Sequence, residues 1–107
     1  MKETQLGDFE ETLLLLVGIL EHDAYAFKIA EEFESQTNRK VSIGSVHSTL
    51  SRLSKKRFLT SEMTGASNER GGRRKRVYTI TASGNHALEK SREFKLSLWK
   101  QFPAFGN

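Results

Sequence analysis

Hydrophobic residues recur at helical spacing along the first part of the chain. Between Phe9 and Leu20 an apolar side chain follows every three or four residues, and the pair Asp8 and Glu11 resembles a capping box. This pattern predicts a first helix that opens at the capping box and ends near Glu21.

A second helix is predicted directly after the first. Asp23 is placed to cap it, and helical spacing puts four apolar residues on its inner face, namely Ala26, Ile29, Ala30 and Phe33. The helix runs to about Thr37, because Asn38 can adopt the left-handed conformation that ends many helices. A short extended piece, residues 41–43, then leads into a third helix.

The third predicted helix, from about Gly44 to Arg57, has two unlike faces. Its apolar stripe consists of Val46, Leu50 and Leu53. The opposite side and its flanks carry only small polar or cationic groups, which are Ser45, His47, Ser48, Ser51, Arg52 and Lys55. A helix face without any carboxylate favours contact with an anion. The simpler alternative to an anion-binding face is a helix face that is only exposed to solvent.

Two segments rich in β-branched and aromatic residues follow, residues 58–64 and 75–81. The polar loop between them contains glycines and predicts a hairpin with a long tip. Thr81 can cap a final helix from about Ala82 to Phe102, which Pro103 stops. The fold class is therefore mainly α with a small β-hairpin: a winged helix-turn-helix over residues 1–81, with a C-terminal helix in residues 82–107.

The composition indicates one small domain with polarised charge. The chain has 107 residues and no cysteine, which excludes disulfides and thiolate sites. It lacks the long apolar run of a membrane span and the basic start of a signal peptide, so a cytoplasmic location is expected. The net charge of +4 is the difference between −7 over residues 1–35 and +11 over residues 36–107. A polyanion is thus the expected partner of the second part.

The predicted hairpin loop carries the densest positive charge. Residues 69–76 hold five cations and one anion, and glycines allow a tight turn. Beside a helix in the major groove of DNA, such a loop could reach the adjacent minor groove, which attracts arginine where it is narrow. The candidate DNA contacts in the loop are Arg70, Arg73, Arg74 and Lys75. Arg76 ranks lower because it shares a strand face with Tyr78 and Ile80. A solvated loop is the alternative.

The last helix is unusually apolar for a chain end. Phe94, Leu98 and Phe102 recur every four residues, and Leu96 and Trp99 widen the apolar surface. We therefore predict a homodimer whose interface includes Phe94, Leu98, Trp99 and Phe102, since exposed apolar patches mark association sites. Alternatively, the helix folds back on its own core. Trp99 could also line a small-molecule pocket between subunits, although an interface role is favoured.

Catalysis finds little support. His22, His47 and His86 lie in different elements without metal-ligand spacing, so neither an enzyme, a metal site nor a cofactor is expected.

Two other classes of binding protein compete with the interpretation as a DNA-binding protein. A winged-helix module could use the same basic surface on an acidic protein, but alternating carboxylates on the third helix would be expected. An RNA binder would need pairs of aromatic residues on its strands, where only Tyr78 qualifies.

The segment 44–53, with sequence GSVHSTLSRL, resembles the recognition helix of PadR-type transcriptional regulators. Residues 69–84 resemble the wing of that family and its entry into the last helix, and residues 23–29 resemble the start of its second helix. The resemblance covers about residues 6 to 100.

This resemblance implies a dimeric, sequence-specific DNA-binding regulator, usually a repressor, whose C-terminal helix mediates dimerisation. It also implies a double-stranded operator of pseudo-palindromic sequence. Some members respond to small aromatic molecules at the dimer interface, which makes Trp99 a candidate ligand-binding residue and a small aromatic effector a candidate partner.

Three positions depart from the pattern of the family. His47 stands where the family usually has tyrosine, and it is either a neutral phosphate donor or a group that titrates near neutral pH. Arg57 and Ala26 replace glycines. Arg57 is expected to carry strain, because a left-handed turn follows the recognition helix in this family.

Overall fold

The computed structural model describes residues 5–64 and 74–103, and it contains four helices and a two-stranded sheet over these ranges. Helix α1 spans Asp8–Leu20, α2 spans Ala26–Thr37, α3 spans Ile43–Lys55 and α4 spans Ala82–Gln101. Strands β1 (Leu59–Met63) and β2 (Arg76–Ile80) lie between α3 and α4. The predicted fold class, mainly helical with a β-hairpin wing, is confirmed.

The start of α1 differs from the prediction. The N-cap is Gly7, and its N–H donates to Oε1 of Glu10 at 2.9 Å, so the prediction that Asp8 and Glu11 form the capping box is wrong by one residue. Glycine has no side chain to complete the box. Glu10 is drawn inward to accept this bond, which leaves Glu11 facing α4.

The connection between α1 and α2 also differs. A short 3-10 turn, Glu21–Asp23, follows α1, and the N-cap of α2 is Tyr25 rather than Asp23. The end of α2 is as predicted, since Asn38 adopts a left-handed conformation with φ of 60°.

Helix α3 begins one residue before the predicted start and ends two residues before the predicted end. Ser42 caps it by accepting from the N–H of Ser45 at 3.0 Å. After Lys55 the chain turns sharply: the N–H of Arg57 donates to the carbonyl of Ser54, and the N–H of Phe58 donates to the carbonyl of Leu53, both at 2.9 Å. Arg57 has φ of 68°, so the predicted left-handed residue is present.

The core lies where α1, α2, α3 and the sheet meet. It contains the predicted apolar stripe of α3 together with residues of α1, α2, both strands and two connecting segments, namely Leu13, Leu14, Leu16, Val17, Ala24, Ile29, Phe33, Phe58, Leu59 and Tyr78. Ala26 and Ala30 are only partly buried against it. Val46, Leu50 and Leu53 of α3 are fully buried. The core therefore fixes the orientation of α3 on the body of the protein.

The hairpin pairs its two strands in antiparallel register, with Leu59 opposite Ile80 and Met63 opposite Arg76. Its base is tied to the helical body, since the N–H of Tyr78 donates to the carbonyl of Ala24 at 2.9 Å. Burial raises the pKa of the Tyr78 hydroxyl, while the nearby charge of Arg76 acts in the opposite direction. The described strands of the hairpin are thus attached to the core through Tyr78.

Helix α4 starts as predicted, with Thr81 accepting from the N–H of Gly84 at 3.0 Å. Its apolar packing on the body is made by Ala87 and Leu88 in its first half, and its main contacts are with α1 and β2. No helix among the described residues is long and apolar enough to cross a membrane.

Candidate nucleic-acid interface

Helix α3 presents the polar face that its sequence predicts. All six side chains of that face are exposed, which are those of Ser45, His47, Ser48, Ser51, Arg52 and Lys55. The buried stripe on the other side is continuous with the core, so the exposed face cannot rotate inward. This geometry suits a helix that enters a groove of DNA without carboxylates to repel phosphate.

The hydroxyl groups of Ser42, the N-cap, and Ser48 donate hydrogen bonds within α3 itself. Ser42 Oγ donates to Ser45 Oγ at 2.9 Å, and Ser48 Oγ donates to the carbonyl of Gly44 at 3.0 Å. The Ser48 bond returns to the preceding turn, as serine often does within helices. Both Ser45 and Ser48 stay exposed and keep acceptor capacity, and a rotated Ser48 hydroxyl can donate outward.

Arg52 is held by a buried acid. Its Nε donates to Oε2 of Glu10 at 3.2 Å, and its Nη2 donates to Oγ1 of the buried Thr49 at 3.2 Å. The Arg52 side chain is nevertheless 54% exposed, whereas that of Glu10 is 8% exposed. The guanidinium therefore lies at the surface with two of its nitrogens already engaged.

Lys56 completes this cluster. Its Nζ donates to both carboxylate oxygens of Glu10, at 2.9 and 3.0 Å, and to the carbonyl of Gln5 at 2.7 Å. Burial by itself would raise the pKa of Glu10, but hydrogen bonds from the Gly7 N–H, Lys56 and Arg52 together outweigh it and lower that pKa below its usual value. Glu10 is thus a carboxylate at neutral pH.

Sequence patterns did not reveal Glu10 and Thr49 as members of this site. Thr49 follows Val46 by three residues on the buried side of α3, so helical spacing could have placed it inward. No local signal indicates the partner of Glu10, because Arg52 and Lys56 lie more than forty residues further along the chain.

The described part of the wing begins again at Arg74. Arg74 and Lys75 are exposed, and Lys75 is hydrogen-bonded through its backbone to Thr64 across the hairpin. The Nζ of Lys75 lies 4.2 Å from the centre of the Tyr25 ring, a cation–π contact that fixes this lysine beside the start of α2. Arg70 and Arg73, which are predicted to contact DNA, lie outside the described residues.

Arg76 does not point toward a helix of the body. Its Nη1 donates to Ser61 Oγ on the facing strand at 3.0 Å, and its side chain is exposed. Arg76 thus lies exposed at the first residue of β2.

The second half of α4 carries an uncovered apolar surface. Phe94, Leu96, Leu98, Trp99 and Phe102 are between 49% and 65% exposed. Trp99 and Phe102 stack edge to face at 5.6 Å between ring centres, and with Lys95 and Leu98 they line an open recess of about 300 Å³. The helix does not fold back on the core with these residues, so that alternative is wrong for a single chain.

Helix α4 is fastened to α1 by charge. Glu11 Oε1 accepts from Lys95 Nζ at 2.7 Å and from Ser91 Oγ at 3.0 Å. The bond to Glu11 raises the pKa of the Lys95 ammonium. Adjacent glutamates in the first turn of α1 therefore contact different elements: Glu10 contacts the end of α3, and Glu11 contacts the middle of α4.

Comparisons with known proteins agree with this geometry. The sequence pattern of the transcriptional regulator PadR-like family matches residues 14–90. The structure is similar to a PadR-family transcription regulator of Clostridium difficile, with 26% identity, a TM-score of 0.63, and coverage of 88% of this chain and 98% of that one. No match is found among curated proteins.

Two further solved structures share the fold at lower identity. A PadR-like transcription factor of Bacteroides fragilis has 22% identity and a TM-score of 0.71, with 87% of this chain and 84% of that chain covered. PadR of Bacillus subtilis, solved in complex with operator DNA, has 20% identity and a TM-score of 0.62 over 86% of this chain and 57% of that chain.

Proposed function

The chain belongs to the PadR-like family of transcriptional regulators, and we propose that it acts in the cytoplasm as a homodimer that binds a pseudo-palindromic operator and represses transcription. Residues 1–81 would bind DNA, and residues 82–107 would dimerise. The family is one of regulators rather than enzymes.

The observation that carries the proposal is the exposed face of α3. It is long enough to follow a major groove, it contains no carboxylate, and Ser45, His47, Ser51 and Lys55 are all exposed on it. The major groove of B-DNA is about 12 Å wide and admits one helix. Hydroxyl and imidazole groups can donate to phosphates or base edges, and Lys55 adds positive charge beside them.

The wing supports the same proposal. Arg74 and Lys75 are exposed at the start of β2, and Lys75 lies beside the N-terminal end of α2. Phosphates on the strand next to the groove that holds α3 would lie near these cations. Together with Arg70 and Arg73, they would supply much of the affinity independently of sequence.

The apolar half of α4 supports the dimer. Its five large apolar residues would be buried if two copies packed their α4 helices together, and a twofold axis would present two α3 helices to successive turns of DNA. The recess at Trp99 would then lie next to the partner, where a small aromatic effector could bind and release the operator.

Salt dependence of DNA binding tests the proposal. Operator fragments are first selected from genomic DNA, and affinity is then measured on the selected fragment and on random duplex from low to moderate salt. If each subunit neutralises three or four phosphates, log K should fall against log salt with a slope of about −5 to −7. A flat response would exclude DNA binding as the function.

Charge variants identify the contacts. Replacing Arg73 and Arg74 together with alanine should weaken binding to all sequences about equally and flatten the slope, whereas Arg52→Ala should cost more on the operator than on random DNA. The matched control replaces Lys90 and Arg92, two exposed cations of α4 that precede its apolar half, with alanine. An equal loss of DNA affinity in the wing variant and in the control variant would show that the change in net charge, rather than a contact made by the wing, is responsible.

A further inference from the structure

Glu10 differs from the other acidic residues of the described chain in its burial. Among residues 5–64 and 74–103, it is the one charged side chain in the core, and its carboxylate faces the recognition helix α3. Two of the four cations at the end of α3 and in the turn after it, Arg52 and Lys56, direct their nitrogens to it. We infer that Glu10 is a positioning residue that sets DNA selectivity by withdrawing Arg52 and Lys56 from indiscriminate contact with phosphate.

The ion pairs are arranged to restrain Arg52 without burying it. Glu10 engages Nε and Thr49 engages Nη2, so the plane of the guanidinium is determined by two partners on the protein. The remaining N–H groups project from a side chain that is more than half exposed. An arginine held in one orientation can satisfy a matching base edge or phosphate, whereas a free one follows any phosphate within reach.

Lys56 is restrained more completely. Its side chain is 18% exposed, and its ammonium is shared between Glu10 and the carbonyl of Gln5. The local charge of Glu10, Arg52 and Lys56 together is therefore +1 rather than +2. Since each phosphate contact contributes about one unit to the salt slope, this acid lowers the non-specific affinity of the region that faces DNA.

Restraint of this kind affects specific and random DNA differently. On the operator, the orientation of Arg52 is already the one that binding requires, so little rearrangement is needed. On random sequence, Arg52 would have to leave Glu10 to reach a phosphate that lies outside the direction of its free N–H groups, and a buried carboxylate would lose a partner. Glu10 thus weakens the complex with random DNA more than the complex with the operator.

The inference rests on the proposed function, and Glu10→Gln tests it. Glutamine keeps the size of the side chain and can still accept from the Gly7 N–H, but it removes the charge. Affinity for random duplex at low salt should rise about tenfold, affinity for the operator should change less, and the salt slope should steepen by about one for each cation released per protomer. A merely structural role would instead lower both affinities together.

Two companion variants make the outcome decisive. Glu89→Gln makes the same change in net charge at an exposed position of α4, outside any salt bridge with a described residue, and should leave the ratio of operator to random affinity unchanged. The double variant Glu10→Gln with Arg52→Gln should lose the added salt slope that Arg52 contributes. Thermal unfolding of each variant establishes that it is folded before binding is measured.

The failure of this inference can be distinguished from failure of the proposed function. If the natural chain shows salt-dependent binding but Glu10→Gln leaves the ratio and slope as they were, or weakens both complexes equally, Glu10 does not set selectivity. If the natural chain itself does not bind duplex DNA, the proposed function has failed first. Should Glu10→Gln unfold, Glu10→Asp, with its shorter reach, should give a smaller shift in the same direction.

Discussion

Gly84, in the first turn of α4, lies directly against the backbone carbonyl of Phe58. A Cβ at position 84 would collide with that oxygen and would approach Cγ2 of Ile80 to 2.9 Å. The contact is made with backbone, which cannot move aside as the end of a side chain can. The absence of a side chain at this position therefore sets how closely α4 approaches the end of α3 and the start of β1.

We expect Gly84→Ala to destabilise the fold by about 1–3 kcal/mol, since overpacking of a closed contact displaces backbone. Gly44→Ala is the matched control, because a Cβ there meets nothing within 4 Å and alanine favours a helix by roughly 0.5–1 kcal/mol. Denaturant unfolding of both variants checks the pair. Equal stability changes of the same sign would show that helix propensity, and not the Phe58 contact, governs position 84.

Arg57→Gly is expected to stabilise the protein. Arg57 holds φ of 68° in the turn after α3, a conformation that costs an ordinary residue roughly 1–2 kcal/mol. Glycine removes that cost and gives back about 0.5–1 kcal/mol through the entropy of the unfolded chain, so a net gain of about 0.5–1 kcal/mol is predicted.

The control for position 57 is Lys55→Gly, an exposed site in α3 where the same replacement should cost about 0.5–1 kcal/mol. Thermal midpoints in the absence of DNA compare the two. If both glycines destabilise, the turn carries no strain that glycine can relieve.

The ion cluster of Glu10 predicts a pH dependence of stability. Its pKa in the folded protein lies below the usual 4.5, so the unfolded chain binds its proton more readily than the folded one. The stabilisation by Glu10 is complete well above pH 4.5, and it is lost as the pH falls through the lowered folded pKa.

Glu10→Gln should therefore be less stable than the natural chain at pH 7, and the difference should shrink as the medium is acidified below pH 4.5. Denaturant titrations at several pH values measure this, with Glu89→Gln as the variant that should show no such convergence. The role of the charge would be contradicted if the difference in stability between Glu10→Gln and the natural chain stayed constant down to about pH 3. That pH is roughly one unit or more below the usual pKa of a carboxyl group.

Leu98→Asp should convert the proposed dimer to a monomer, because it places a charge in the centre of the apolar half of α4, where Leu98 is 49% exposed in a single chain. Light scattering measures the mass. Met63→Asp makes the same kind of change on the wing, where Met63 is 40% exposed, and should leave the mass unchanged. An unchanged mass for Leu98→Asp, with the natural chain dimeric, would place the interface elsewhere.

Local patterns were sufficient to predict much of this structure. The 3.6-residue spacing of apolar side chains located all four helices to within two residues at most ends, and residue types with β propensity located both strands. The two faces of α3 were also predictable, since a helix buries the stripe that its sequence makes apolar. Asn38 and Thr81 act as predicted at helix ends because a cap depends on neighbours a few residues away.

Other features depended on contacts between distant parts of the chain. Gly7, rather than Asp8, is the N-cap of α1, and the Glu10 carboxylate that accepts from its N–H is also bound by Lys56 in the turn after α3. Tyr25 is the N-cap of α2, and Lys75 of the wing lies over its ring. Periodicity placed Arg52 on the exposed face but could not supply its partner, since ion pairs across more than forty residues form only when α1 and α3 pack together. The sequence by itself therefore determined which faces are apolar and which are basic. The tertiary structure decided which of the basic groups remain available to bind an anion. A positive charge is neutralised only by an acidic group that packing brings within a few ångströms of it.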